Sequence, residues 1–299
     1  MIGFIGLGNM GGRMTARLLE KGHEVTGYDV RPGLAESLGA RPAASVAEVT
    51  AAADVVLLSL PDSHVVEAVT GGDDGLIAQA RSGQVVVDLS TAAPASTRAI
   101  HASFLGRGAA YLDAGISGGA AAADKGTLTL MVGGAADALE RVRPVLEGFS
   151  STIFHCGDSG SGHTAKLLNN FLNAVTLSAT AEVMVAGKKA GLDLETLLGI
   201  INASSGVNFA SLNRFPKIIH GDYLKGGLTN SLMMKDVTLY ADLAAGLGVG
   251  SVSASGPLAA FGLAIGLGYG DQISNTVVDA IGDVSGGVRL HDPEGERDD

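Results

Sequence analysis

The sequence predicts an α/β fold, a doubly wound sheet at the N-terminus followed by an all-α C-terminal domain, and three observations predict it. Short continuous apolar runs alternate with helical patterns through the first half of the 299 residues. A glycine turn joins the first such run to the first helix. Strand signals then stop at Cys156-Gly157-Asp158-Ser159-Gly160-Ser161-Gly162, beyond which only helical periodicity continues. Apolar runs without alternation belong to a parallel sheet covered on both faces, and strands interleaved with helices build a layered α/β sheet.

The first element is the apolar run Ile2-Gly3-Phe4-Ile5, read as a buried strand, and Met14, Leu18 and Leu19 mark the inner face of the following helix. Between them Gly6, Gly8 and Gly11 fall in a G-x-G-x-x-G spacing, with Leu7, Asn9 and Met10 filling the turn. With 44 glycines in the chain that spacing alone says little; the order strand, glycine turn, helix is what gives it meaning. Gly6 permits the tight turn, Gly8 lets a pyrophosphate approach the backbone, and Gly11 brings the helix close to the strand. The helix N-terminus supplies free N–H groups and partial positive charge for phosphates. The second strand, Glu24-Val25-Thr26-Gly27-Tyr28, ends at Asp29, whose carboxylate would hold a ribose 2′-hydroxyl. These features read as a Rossmann-type dinucleotide site. Asp29 favours NAD, whereas Arg31, two residues on, would welcome a 2′-phosphate and leaves NADP open.

Further strands are read at Val55–Ser59, Val85–Asp88, Tyr111–Asp113, Thr127–Val132 and Thr152–His155, with a helix over Ala135–Leu146. Ligands of doubly wound sheets collect at the carboxyl ends of strands. Those ends carry Gly6–Gly11, Asp29, Ser59-Leu60-Pro61, Ser90-Thr91 and the small-residue turn Ile116-Ser117-Gly118-Gly119. Closely spaced N–H groups in such a turn can hold a carboxylate. A long helix is expected from about His163 to Lys188, then helices near Leu194–Asn202, Leu232–Leu247, Gly256–Leu267 and Asn275–Ile281. The expected organisation is a nucleotide-binding sheet domain over 1–158, an all-α domain over 159–284 and a frayed polar tail over 285–299.

The long helix holds the sharpest chemical signal. His163, Lys166, Asn170 and Asn173 are spaced by three, four and three residues, so they project together. Apolar neighbours Leu167, Leu168, Phe171, Leu172 and Val175 imply burial around that stripe, which either faces water or lines a polar cleft. An ammonium at Lys166 beside the Asn170 amide could protonate a carbonyl oxygen as hydride reaches its carbon, which is general acid catalysis. His163 reads as a capping or packing residue.

A net charge of −11 excludes a nucleic-acid surface, which needs a basic face. The single Cys156 excludes an intrachain disulfide, fits a reducing cytoplasm, and reads as a small buried residue at a strand end. No targeting segment is expected ahead of the first strand. The most apolar window, Ser255 to Gly270, is interrupted by glycines and falls short of the ~18 apolar residues of a membrane span. The seven histidines show no ligand spacing with Cys156 or acidic residues, so no metal is expected. No G-x-S-x-G elbow supports a hydrolase.

Four blocks together resemble the β-hydroxyacid dehydrogenase family, the 3-hydroxyisobutyrate dehydrogenase and tartronate semialdehyde reductase group, over nearly the whole chain to about Ile281. They are Gly3-Phe4-Ile5-Gly6-Leu7-Gly8-Asn9-Met10-Gly11, Asp113-Ala114-Gly115-Ile116-Ser117-Gly118-Gly119 with Gly126-Thr127-Leu128, Gly160-Ser161-Gly162-His163-Thr164-Ala165-Lys166-Leu167-Leu168-Asn169-Asn170, and Lys235-Asp236. The resemblance implies NAD(P)-dependent interconversion of a β-hydroxyacid and its semialdehyde or keto acid. Lys166 would be the acid/base with Asn170 beside it, Ser117, Gly118 and Gly119 would bind the substrate carboxylate, and Thr91 and Lys235 would contact the nicotinamide half of the cofactor. It further implies substrate binding and dimerisation or tetramerisation through the helical domain. Two departures stand in the substrate block: Gly115-Ile116 where the family usually has Pro-Val, and Ala122 where it has Gly. The loop is therefore expected to be looser and the substrate different. Two other readings are an imine reductase, which usually lacks the lysine, and a cofactor-binding regulatory protein without catalysis, which would not need Ser117, Lys166 and Asn170 intact.

Overall fold

In the computed structural model, which describes residues 1–291, the chain forms two compact units, Met1–Lys166 and Leu167–Asp299. The first alternates strands and helices: β1 (Ile2–Ile5), α1 (Asn9–Glu20), β2 (Val25–Tyr28), α2 (Leu34–Ser37), β3 (Arg41–Pro42), α3 (Val46–Ala52), β4 (Val55–Leu58), α4 (Ser63–Thr70), α5 (Leu76–Gln79), β5 (Val85–Asp88), α6 (Pro94–Leu105), β6 (Ala110–Ser117), α7 (Gly119–Lys125), β7 (Leu128–Gly133), α8 (Ala136–Leu146) and β8 (Ser150–Gly157). These strands make one eight-stranded sheet in the order β3-β2-β1-β4-β5-β6-β7-β8. The order reverses direction on either side of β1, the switch point at which doubly wound sheets bind ligands.

Continuous burial along β1 and β5 is why these runs carry no polar alternation. Phe4, Leu57, Val87 and Leu112 join one core cluster, while Ile5, Val56, Val86 and Tyr111 join the other. The sheet is thus covered on both faces. β1, β2, β4, β5 and β6 run parallel. β7 turns back antiparallel to β6, and β8 runs parallel to β7 at the far edge. Most of β8 is open to solvent, and this exposes Cys156, contrary to the buried position expected from its strand. Strand pairing protects the backbone of an edge strand and leaves its side chains uncovered.

The second unit begins inside α9 (Ser161–Lys189), and continues with α10 (Leu194–Asn202), α11 (Phe209–Asn213), α12 (Phe215–Ile218), α13 (Asn230–Gly246), α14 (Ser255–Gly266) and α15 (Val277–Val284). Its core gathers Phe171, Leu177, Met184, Phe215, Met233, Val237, Phe261 and Val278. The Phe171 and Tyr240 rings stack with centroids 3.6 Å apart, which fixes α9 against α13. The short helices α11 and α12 were not expected. Asn208 opens α11 with a reciprocal capping box, and Pro216 stands in the first turn of α12.

Part of the expected tail is anchored. Leu290 is 4 % exposed within the helical core, and Arg289 pairs with Asp283. Residues 292–299 of that expectation lie outside the described residues.

Candidate active site

In the sheet unit, strand register puts Ile5, Leu58, Asp88 and Asp113 level with one another. The segments that follow, Gly6–Gly11, Ser59–Pro61, Ser90–Thr91 and Gly115–Gly119, therefore share one edge of the sheet, as expected from strand ends.

The glycine turn has a steric logic visible atom by atom. Gly6 has φ +87°, and a Cβ there would lie 2.3 Å from the Ser59 carbonyl oxygen. A Cβ at Gly11 would fall 1.9 Å from the Gly6 oxygen, so no larger residue lets α1 approach β1. A Cβ at Gly8 would meet only an Arg31 nitrogen, at 3.5 Å, which leaves the backbone open to a ligand. Gly8 caps α1 without a side-chain hydrogen bond, the arrangement in which first-turn N–H groups suit an anion.

Asp29 is tied into this turn. Its Oδ2 accepts from the Leu7 N–H at 2.8 Å, and its Oδ1 accepts from the Arg31 N–H at 3.0 Å. The Arg31 guanidinium also donates to it through Nε at 3.0 Å and Nη2 at 3.2 Å. Burial raises the Asp29 carboxyl pKa, but the hydrogen bonds from Arg31 and Leu7 outweigh it and hold the group below its ordinary value. Asp29 and Arg31, read from sequence as opposed determinants, thus form a pair.

A buried residue that sequence reasoning missed braces the next strand ends. Asp88, fully buried, accepts from the Tyr111 hydroxyl at 2.8 Å and from the Ser90 N–H at 3.0 Å. The Leu60 N–H donates in turn to Ser90 Oγ at 3.0 Å. Val85-Val86-Val87-Asp88 already carried a signal, a carboxylate ending an apolar strand, because such a group must find buried donors.

Ser117 ends β6 and is paired with Thr129 of β7. Gly115 and Ile116 also lie within this strand, so the departure there gives ordered strand and not the looser loop expected. Gly118 and Gly119 follow at φ +123° and +66°, in the left-handed region. A Cβ at Gly118 would lie 2.5 Å from the Ala122 methyl, so the Ala122 departure is accommodated by a neighbouring glycine.

Lys166 stands in the second turn of α9 and is 7 % exposed. A Cβ on Gly115 would sit 2.4 Å from Lys166 Cβ and 3.0 Å from its Cγ. The lysine stem therefore lies directly on β6, two residues before Ser117 and on the same strand face. Asp113 fixes the start of α9: its Oδ1 accepts from the Gly160 N–H at 2.7 Å and its Oδ2 from the His163 N–H at 2.8 Å. His163, fully buried, meets Thr97 Oγ1 through Nδ1 at 2.8 Å and the Asp88 carbonyl through Nε2 at 3.3 Å. Its packing role is as read from sequence.

In the helical unit, Asn170 is 3 % exposed and donates through Nδ2 to Asp236 Oδ2. Lys235 Nζ lies 3.2 Å from Asp236 Oδ1. The Asp236 carboxylate, missed as a site residue although its Lys-Asp pair was noted, thereby joins Asn170 to Lys235. Asn173, the next member of the stripe, accepts from Arg214. No group of three or more metal-ligating side chains occurs among the described residues.

Two family models match this chain in succession. The NAD binding domain of 6-phosphogluconate dehydrogenase matches residues 1–157, and the NAD-binding domain of NADP-dependent 3-hydroxyisobutyrate dehydrogenase matches residues 160–272. The NAD-dependent L-serine dehydrogenase of Pseudomonas aeruginosa is 40 % identical over 281 residues, covering 91 % of this chain and 94 % of its own. The chain belongs to the β-hydroxyacid dehydrogenase family. Another member, the 2-(hydroxymethyl)glutarate dehydrogenase of Eubacterium barkeri, is 37 % identical over 241 residues, 80 % of each chain. The Mycobacterium tuberculosis 3-hydroxyisobutyrate dehydrogenase, solved with L-serine, superposes with a TM-score of 0.85 at 34 % identity, covering 93 % of this chain and 97 % of that one. The sheet unit of this β-hydroxyacid dehydrogenase is its NAD(P)-binding domain.

Proposed function

We propose that this protein oxidises a β-hydroxyacid of the form HOCH2–CHR–COO⁻ with NAD, with Lys166 as general base. The observation that carries the reading is the placement of the Lys166 stem against β6, on the strand face that ends at Ser117. The three relatives' names concern L-serine, 3-hydroxyisobutyrate and 2-(hydroxymethyl)glutarate, which share this skeleton and differ only in R.

The residues present fit the cofactor. Gly8 leaves the backbone at the head of α1 open to the pyrophosphate, we assign Gly6, Leu7, Asn9, Met10 and Gly11 to the same turn, and Asp29 offers a carboxylate to the ribose, with Arg31 paired to it. Leu60, Pro61 and Thr91 follow the ends of β4 and β5, and we assign them, with Lys235, to the rest of the cofactor. When bound, NAD accepts the hydride. Ser117 and the N–H groups of Gly118 and Gly119 hold the substrate carboxylate and so orient the hydroxymethyl group. As hydride leaves the hydroxymethyl carbon, Lys166 takes the hydroxyl proton; in the reverse direction its ammonium protonates the carbonyl oxygen. Asn170, one turn along the same helix and anchored by Asp236, positions the hydroxyl or carbonyl oxygen.

Lys166 disfavours an imine reductase, and a site this complete disfavours a non-catalytic regulator. Leu168, Leu172 and Val183 leave an exposed apolar stripe on α9, at 47 %, 64 % and 47 % exposure, which supports a homo-oligomer built on the helical unit. No helix among the described residues is long and apolar enough to cross a membrane, and the single cysteine agrees with a cytoplasmic location. A spectrophotometric screen of hydroxyacids with NAD and NADP tests the reading, with sedimentation of the same sample. NADH formation from at least one such acid, faster than NADPH formation, on a particle at least twice 30.0 kDa is expected. No reduced cofactor with any of them overturns it.

A further inference from the structure

Resting on that reading, we propose that His163 is a positioning residue for the proton transfer: its buried ring holds the turn of α9 that carries Lys166 in register with the end of β5 that leads into Ser90 and Thr91. All of these residues belong to the sheet unit. His163 precedes Lys166 by three residues, one turn along the same helix face. Its ring is fully buried, and both nitrogens are engaged. Nδ1 lies 2.8 Å from Thr97 Oγ1 on α6, and Nε2 lies 3.3 Å from the carbonyl oxygen of Asp88, the last residue of β5. A carbonyl only accepts, which places a ring hydrogen on Nε2. The Asp88 carboxylate lies 4.0 Å from the same nitrogen. The His163 backbone N–H donates to Asp113 on β6 at 2.8 Å. One residue is thereby fastened to α6, β5 and β6.

Filling the core does not call for such a ring. An interior imidazole is costly unless its nitrogens are hydrogen-bonded, whereas leucine fills a similar volume without that demand. What the imidazole adds is direction, because turning it breaks a contact to another element. Gly115 sets how closely α9 approaches β6; the ring ties the same end of α9 to β5 and α6. The contacts continue beyond the Asp88 carbonyl. The Asp88 carboxylate accepts from the Tyr111 hydroxyl and the Ser90 N–H, and Ser90 Oγ accepts from the Leu60 N–H. The residue that meets His163 therefore also fixes the segments after β4 and β5 that we assign to the cofactor.

Register matters because hydride and proton leave neighbouring atoms of one hydroxymethyl group. Cofactor and lysine must be set against each other, and a misplacement of about 1 Å costs on the order of 100-fold in rate. The buried ring acts on this step through Lys166 and the end of β5.

The test measures kcat at saturating NAD, NADH affinity by fluorescence titration and stability to urea in the wild-type protein, His163→Leu, His163→Gln and Thr97→Val. The substrate is whichever of 3-hydroxyisobutyrate, L-serine and 2-(hydroxymethyl)glutarate the wild type oxidises fastest. His163→Leu fills the core without a donor and is expected to lower kcat by about 10- to 100-fold, with NADH affinity retained. Glutamine can carry an amide N–H to the Asp88 carbonyl. His163→Gln is therefore expected to recover kcat to within about fivefold of wild type, the worth of the one neutral hydrogen bond given up at Thr97. Thr97→Val frees the ring to turn and is expected to lower kcat by about fivefold for the same reason. A structural role alone would lower stability to urea and leave kcat of the folded enzyme at the wild-type value. That result overturns the inference and leaves the reading of the site intact. So does a His163→Gln variant that falls as far as His163→Leu. Should neither His163 variant fold, wild-type kcat in Thr97→Val overturns the inference and a lowered kcat with retained NADH affinity upholds it. Oxidation of none of the three acids by the wild type overturns both.

Discussion

Gly115 shows how much a single residue can decide. In the sequence it is a departure inside a familiar block, and spacing alone cannot say what a missing side chain makes room for. In the structure it is where the Lys166 stem rests, with 2.4 Å between a hypothetical Cβ and the lysine Cβ. Its φ is not in the left-handed region, so alanine there strains no backbone and must instead displace the lysine or α9. Displacement of a reacting group by about 1 Å can cost on the order of 100-fold in rate. Gly115→Ala is therefore expected to lower turnover by that order, with NADH affinity, read by fluorescence titration, nearly unchanged. Unchanged turnover would show that the lysine stem is not fixed by this contact. Asp29 and Arg31 were legible as opposed cofactor determinants. Their mutual ion pair was not, because a side chain two residues away can point anywhere.

At the scale of elements, the long helix was readable because its apolar residues repeat at helical period and glycines bound it. What fixes its start was not readable. Asp113 is 47 and 50 residues distant from the two N–H groups it accepts from, and no local pattern reveals such a cap. Asp113→Ala leaves both buried donors without their carboxylate. The expected loss is roughly 2–4 kcal/mol of unfolding free energy, measured by urea denaturation, accompanied by a fall in turnover. A variant as stable as wild type would remove Asp113 from this role. The same limit hid the full length of β6. Its last residues read as a turn because Gly115, Ser117 and Gly118 are small, yet pairing with β7 holds Gly115 to Ser117 extended. β3 was missed because two exposed residues, Arg41 and Pro42, carry no apolar signal.

For the whole molecule, the order of elements carried the architecture, since buried parallel strands and amphipathic helices leave different periods in the sequence. The change near 158 was visible as the end of strand signals, whereas the compact units divide between Lys166 and Leu167, inside α9. A continuous helix carries no mark in its periodicity where one unit gives way to the next. Lys166 therefore belongs to the sheet unit with Ser117, Gly118 and Gly119, and Asn170 to the helical unit with Asp236 and Lys235. We propose that Lys166 moves the proton, while the glycine turn and Asp29 hold the cofactor independently of it. The most direct measurement of this claim pairs turnover with NADH binding in Lys166→Ala, using the best hydroxyacid from the screen. The predicted result is a fall in kcat of about 10²- to 10⁴-fold with NADH affinity essentially retained; turnover at the wild-type rate would contradict it.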